Sequence, residues 1–181
     1  MQFPKIANED LGRLDKEAFS HSTKLPITIV LDNIRSLHNI GSTFRTSDAF
    51  SIEKICLCGI TACPPHREIY KTALGAEDTV AWEYHSNILS LIQGLKSEGN
   101  QICAVEQTKN SISIDQFHPT NASQPLVLIF GNEVDGVQQS AIDLCDHVLE
   151  IPQYGTKHSL NVSVSVGIVL WEITKKYHLA K

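Results

Sequence analysis

Five short apolar runs constrain this chain more than any other feature: PITIVLDN, KICLCG, QICAVEQ, PLVLIFGNE and HVLEIP. Each is a few residues of mainly aliphatic or β-branched side chains, with too little polar alternation for a sheet wetted on one side. That pattern fits strands covered on both faces. The spacing predicts strands over residues 27 to 32 and 54 to 59, with TVAWEYH as a further strand. Between the strands lie helical patterns. NILSLIQGLKSEGN sets Ile88, Leu91, Ile92 and Leu95 on one face before a glycine stop. HREIYKTALGAED follows Pro64 and Pro65 and ends as a short helix at Gly75, and VQQSAIDLC reads as another. In RSLHNIGSTFRTSDAFS a loop is expected first, and then a helical turn or two carrying Phe44, Ala49 and Phe50. Strand and helix in alternation imply an α/β fold, a mainly parallel sheet with helices on both faces. At 181 residues the chain suits one such domain. Leu11, Leu14 and Ala18 at helical spacing predict a helix over about 8 to 20, within a short N-terminal extension at about 1 to 24.

Composition excludes several classes. No run approaches the eighteen apolar residues of a membrane span, and the acidic, amphipathic start lacks the pattern of a secretory signal, so a cytoplasmic protein without a membrane partner is expected. The five cysteines are odd in number and sit in apolar surroundings, as reduced thiols do. Cys56, Cys58, Cys63 and His66 can be drawn together as a zinc site, but their spacing matches no common pattern; small buried hydrophobes and a loop thiol are preferred, and no metal is expected. Net charge of -5 gives no global basic field, so any nucleic-acid contact must use a local patch. The candidates are Lys24, Arg35, His38, Arg67, Lys71, Lys157 and His158, with a weaker cluster of Lys175, Lys176 and Lys181.

Ligands of open parallel sheets sit at the carboxyl ends of strands. Three such ends are rich in Gly, Asn, Ser and charge: LDNIRSLHNIGSTFR, LIFGNEVDG and IPQYGTKHSLN. The dinucleotide fingerprint, the P-loop and the G-x-S-x-G elbow are all absent, which removes the usual routes to NAD, ATP and hydrolase chemistry. Taken singly, Asn39 reads equally as a helix cap, Glu133 as a turn residue, Ser159 as an N-cap, and Arg45 as a partner of Asp48 on a surface turn.

In order and spacing, NIGSTFR, IFGNEVDG and IPQYGTKHSLNVSVSVG resemble the three motifs of the SpoU (TrmH) branch of the SPOUT RNA methyltransferases, over about residues 25 to 175. The resemblance implies transfer of a methyl group from S-adenosylmethionine to a ribose 2′-hydroxyl of tRNA or rRNA, with tRNA favoured. It also implies a homodimer and a C-terminal deep trefoil knot, which no periodicity would indicate. By similarity, Asn39, Arg45, Glu133, Ser159 and Asn161 carry the chemistry. Phe130, Gly131, Asn132, Ile151, Gln153, Ser159 and Leu160 hold the cofactor, with Gln153 where many relatives carry Met. Arginine stays protonated, so Arg45 is expected to bind the substrate phosphate and steady developing negative charge rather than act as the base. Asn39, Ser159 and Asn161 would fix the ribose and phosphate, and Glu133 would orient Asn39 or a neighbouring loop. A catalytically weak RNA-binding or assembly protein on the same scaffold is the competing expectation, and base methylation is disfavoured by the Asn and Arg of the first motif.

GTKHSLNVSVSVG alternates like a strand, yet it runs without a stop into GIVLWEITKK, and that length predicts a helix. Ser159, Ser163 and Gly167 then form a small-residue ridge open to another backbone. Leu160, Val164, Ile168 and Trp171 form an apolar stripe, and helix-start N–H groups point toward ligand.

Overall fold

In the computed structural model, which describes residues 2–121 and 124–179, the five apolar runs, TVAWEYH and one further short segment form seven strands in one sheet. They are β1 (Leu25–Asp32), β2 (Ile52–Cys58), β3 (Ala81–His85), β4 (Gln101–Val105), β5 (Ile112–Ser113), β6 (Leu126–Gly131) and β7 (His147–Glu150). Met1 of the expected extension and Lys181 of the expected basic cluster lie outside the described residues. Every pairing is parallel, and the strand order is β3-β2-β1-β6-β4-β7-β5. β5 is too short to have been legible as a strand.

Alternate side chains of β1 feed two separate cores. Ile27, Ile29 and Leu31 pack toward α2 (Leu37–Ala49), α3 (Arg67–Ala73) and α6 (Val162–Leu179). Val30 packs toward α4 (Ile88–Ser97) and α5 (Gln139–Ile142), on a face completed by Val127, Ile129 and the buried Ile88, Leu91, Ile92 and Leu95 of α4. The predicted face of α4 is therefore the one observed. Ile40 and Phe44 anchor α2 with no exposed surface; burying such side chains is worth about 1.5–3 kcal/mol each.

Three elements differ from expectation. α2 is 13 residues long and starts at Leu37, so Asn39 stands in its first turn rather than in a loop. Gly41 made this stretch look like a loop, but its function is close approach. A Cβ there would lie 2.3 Å from the Ile69 carbonyl of α3. The N-terminal segment is not one helix. A 3-10 turn at Asn8–Leu11 ends at Gly12, whose φ of 61° is left-handed, and α1 (Lys16–His21) begins afresh behind an Asp15 cap. Leu11 and Leu14 stay exposed.

α6 is a helix, but it starts at Val162, so Ser159 and Leu160 precede it. Its buried face is Val162, Val166, Val169, Leu170, Ile173 and Tyr177, while Val164, Ile168 and Trp171 face outward. The segment is apolar on two sides, and the expected stripe is the outer one. Ser163 and Gly167 are half-buried, and a Cβ at Gly167 would meet nothing within 4 Å, so no backbone among the described residues closes on the ridge at Gly167.

Candidate active site

The sheet's order reverses about its centre: β1, β2 and β3 step one way, and β4, β7 and β5 lie on the other side of β6. Such a switch point opens a crevice at the strands' carboxyl ends. A cavity of about 350 Å³ lies there, walled by the ends of β4 and β6 and the segment leading into α6. Phe130, Gly131, Asn132, Glu133, Ile151, Gln153, Ser159 and Leu160 all line it.

The β6 end folds back as a tight loop. Asn132 accepts the N–H groups of Val134 and Asp135 on its side-chain oxygen, each at 3.0 Å, and the Gly136 N–H on its carbonyl at 2.9 Å. The fold-back needs a glycine, because a Cβ at Gly131 would lie 2.0 Å from the Gly136 carbonyl carbon. Next to the cavity, Asn39 Nδ2 donates to Glu133 Oε1 at 2.6 Å, and Asn161 Nδ2 donates to Asn39 Oδ1 at 3.1 Å. One hydrogen-bonded run thus joins α2, the β6 loop and the start of α6.

Asn161 also caps α6. Its Oδ1 accepts the Ser163 N–H at 2.9 Å and the Val164 N–H at 3.4 Å. These first N–H groups are therefore engaged by the cap, which corrects the expectation that they face a ligand. Arg45 does not line the cavity. Six residues beyond Asn39, it lies about 9 Å further along α2 and roughly 120° around it. Its guanidinium is exposed and makes no hydrogen bond or ion pair among the described residues. Asp48 instead accepts from Thr79 Oγ1.

The surface cations are partly committed. Arg35 faces Asp135 at 3.7 Å, while His38 and Lys71 both reach Glu68, whose carboxyl they hold below its usual range. Lys24 donates to the Phe19 carbonyl and lies over its ring. Lys176 is structural: it donates to the carbonyls of Ile114, Asp115 and Phe117, so it is no part of a free basic cluster.

The disfavoured grouping of Cys56, Cys58, Cys63 and His66 does not assemble, because the ligand-type atoms that cluster among the described residues belong to Cys56, Glu83 and His85. There Lys54 Nζ already holds Glu83 at 2.8 Å. Burial pushes the Cys56 thiol up, and that of Cys58 to about 12, so both are neutral.

Sequence reasoning missed Glu106 and Gln107, which follow β4 and line the same cavity. The strand-end rule would have found them, since QICAVEQ also ends in polar groups; three richer strand ends drew attention away.

Residues 26–171 match the model of the SpoU rRNA Methylase family. The chain belongs to that family. Among SpoU relatives it is 29% identical to the 23S rRNA (guanosine-2′-O-)-methyltransferase RlmB of Neisseria meningitidis, over 89% of this chain and 63% of that protein. It is also 29% identical to the Vibrio parahaemolyticus RlmB, over 98% of this chain and 70% of the relative. In the first of these matches it spans about three-fifths of the curated relative's length. The A. aeolicus TrmH/SpoU tRNA modifying enzyme superposes with a TM-score of 0.80 at 26% identity, covering 91% of this chain and 81% of that one. An AdoMet-bound rRNA methyltransferase from Sinorhizobium meliloti gives 0.76 at 26% identity, over 88% and 62%. No helix among the described residues is long and apolar enough to cross a membrane.

Proposed function

We propose that this SpoU family chain transfers a methyl group from S-adenosylmethionine to a ribose 2′-hydroxyl of RNA in the cytoplasm, with tRNA the favoured substrate. The observation that carries the reading is the run Asn161, Asn39, Glu133, which links three strand-end segments beside a glycine-opened cavity. The preference for tRNA rests on likeness over 81% of the A. aeolicus tRNA modifying enzyme. Phe130, Ile151 and Leu160 give the cavity apolar walls, and the main chain around Gly131, Asn132 and Gln153 offers donors and acceptors, a combination suited to a nucleoside. Bound there, S-adenosylmethionine supplies an electrophilic methyl group.

In this reading Ser159 and Asn161 fix the ribose and its phosphate, and Glu133 orients Asn39 toward them. Arg45, exposed on α2 outside the cavity lining, binds the substrate phosphate as a cation, and through that phosphate it assists departure of the proton from the attacking oxygen. Lysine lacks the planar fork that grips phosphate, so Arg45→Lys is expected to retain RNA binding within a few-fold while turnover falls by about tenfold or more. Equal losses in filter binding and methyl transfer would contradict this assignment.

The working unit we infer is a homodimer of a single SpoU-type domain, preceded by the short extension at about 1–24. Support comes from the outward apolar side chains of α6 and from Gly167, where an added Cβ would meet nothing within 4 Å among the described residues. We further infer a C-terminal trefoil knot. β6 enters the sheet between β1 and β4 only after the chain has reached the far edge at β5, and β7 then enters between β4 and β5, an order that suits a threaded C-terminus.

A further inference from the structure

The cavity wall that follows β4 carries a carboxylate with no cation beside it. Glu106 Oε1 accepts the Val137 N–H at 2.9 Å, and its Oε2 accepts the Gln107 N–H at 3.2 Å. No ion pair reaches it among the described residues. The other two acids of the lining are engaged, Glu133 by Asn39 and Asp135 by Arg35. Among the described residues no Lys or Arg lines the cavity, and His158 is the single basic side chain there. Glu106 is also placed with care. Gly136, at φ 65°, lets the loop backbone close on it, and a Cβ there would lie 2.2 Å from Glu106 Oε1. Beside it, Gln107 Nε2 donates to the His158 carbonyl at 2.8 Å and ties the β4 end to the segment leading into α6.

A carboxylate has about four lone-pair sites, and two here are taken by main-chain N–H groups. A charge drawn partly out of water without a counter-ion is unfavourable, and a cationic ligand relieves that cost. Methyl transfer returns the electron pair of the sulfur–methyl bond to sulfur, so donor and product share one scaffold and differ by one positive charge. We propose that Glu106 is the charge-selective residue of this cavity, favouring the sulfonium-bearing methyl donor over its neutral thioether product. The proposal rests on the methyltransferase reading, and it adds a means of releasing product.

Calorimetric titration of the full chain with S-adenosylmethionine and with S-adenosylhomocysteine tests it. Glu106→Gln, which keeps the shape, is expected to weaken donor binding by about tenfold and product binding by less than about twofold, a ratio set by one charge at short range. Gln107→Ala, which only unties the loop, is expected to weaken both alike. Glu106→Asp keeps the charge and is expected to hold the wild-type ratio even where both affinities fall. Equal loss of both ligands in Glu106→Gln, or no loss, overturns the proposal and leaves the methyltransferase reading standing. So does a ratio shifted as far in Glu106→Asp as in Glu106→Gln. Wild-type protein that binds neither ligand would instead sink the reading itself, and the proposal with it.

Discussion

Asn39 is useful at two atoms at once: its amide nitrogen holds Glu133 while its oxygen receives Asn161. Neither contact joins near neighbours in sequence, which is why residue-level reading left Asn39 open as a helix cap. The cap is in fact Ser36, whose hydroxyl accepts the Asn39 N–H at 3.3 Å. A second cluster, away from the cavity, sets a pH dependence. Glu83 is held by Lys54 foremost and then by His85 and Cys56, which together pull its carboxyl down from 4.5 to about 2. A depressed acid contributes stability that is complete above its unfolded value and is lost as pH falls through the folded one. Wild-type protein should therefore lose more urea resistance than Glu83→Gln between about pH 5 and pH 2. Parallel acid profiles for the two proteins would show that the contact carries no net stability.

At the scale of elements, legibility followed periodicity. The strand runs and α4 were readable because one pattern served one environment: continuous apolar for strands covered on both faces, a single apolar stripe for a helix on one face. α2 was half hidden because Gly41, needed where α3 crosses within contact distance, carries the same letter as a loop glycine. α6 was the hardest case. VSVSVGIVLWEI is apolar on two sides, and a sequence cannot say which side meets the sheet. The structure gives the sheet Val162, Val166, Val169 and Ile173, leaving Val164, Ile168 and Trp171 outward, with Trp171 edge-on to Phe50 at 6.5 Å. If that outer stripe pairs two copies, Ile168→Asp should turn a dimer into a folded monomer in sedimentation equilibrium. A wild-type monomer at micromolar concentration, or a variant that stays dimeric, would contradict the pairing.

For the whole molecule, strand-end chemistry pointed to the site, because a parallel sheet collects its functional groups at one edge. β1, β6 and the segment after β7 were recognised from their Gly, Asn and Ser content, and the structure sets them beside one cavity. The β4 end, with Glu106, was overlooked because the polar stretch that follows it, EQTKNS, carries no glycine. That Arg45 stands outside the cavity lining was not legible either, since helical phase from Asn39 matters only once α2 is known to begin at Leu37. The most direct test of the account supplies purified protein with methyl-labelled S-adenosylmethionine and separate pools of unmodified tRNA and rRNA. The label is then located by nuclease digestion and mass spectrometry. Label is expected on a ribose 2′-oxygen, in tRNA, falling by about a hundredfold in Asn39→Ala while cofactor affinity stays within about threefold. Label on a base, or no transfer to either RNA by protein that binds the cofactor, would contradict it.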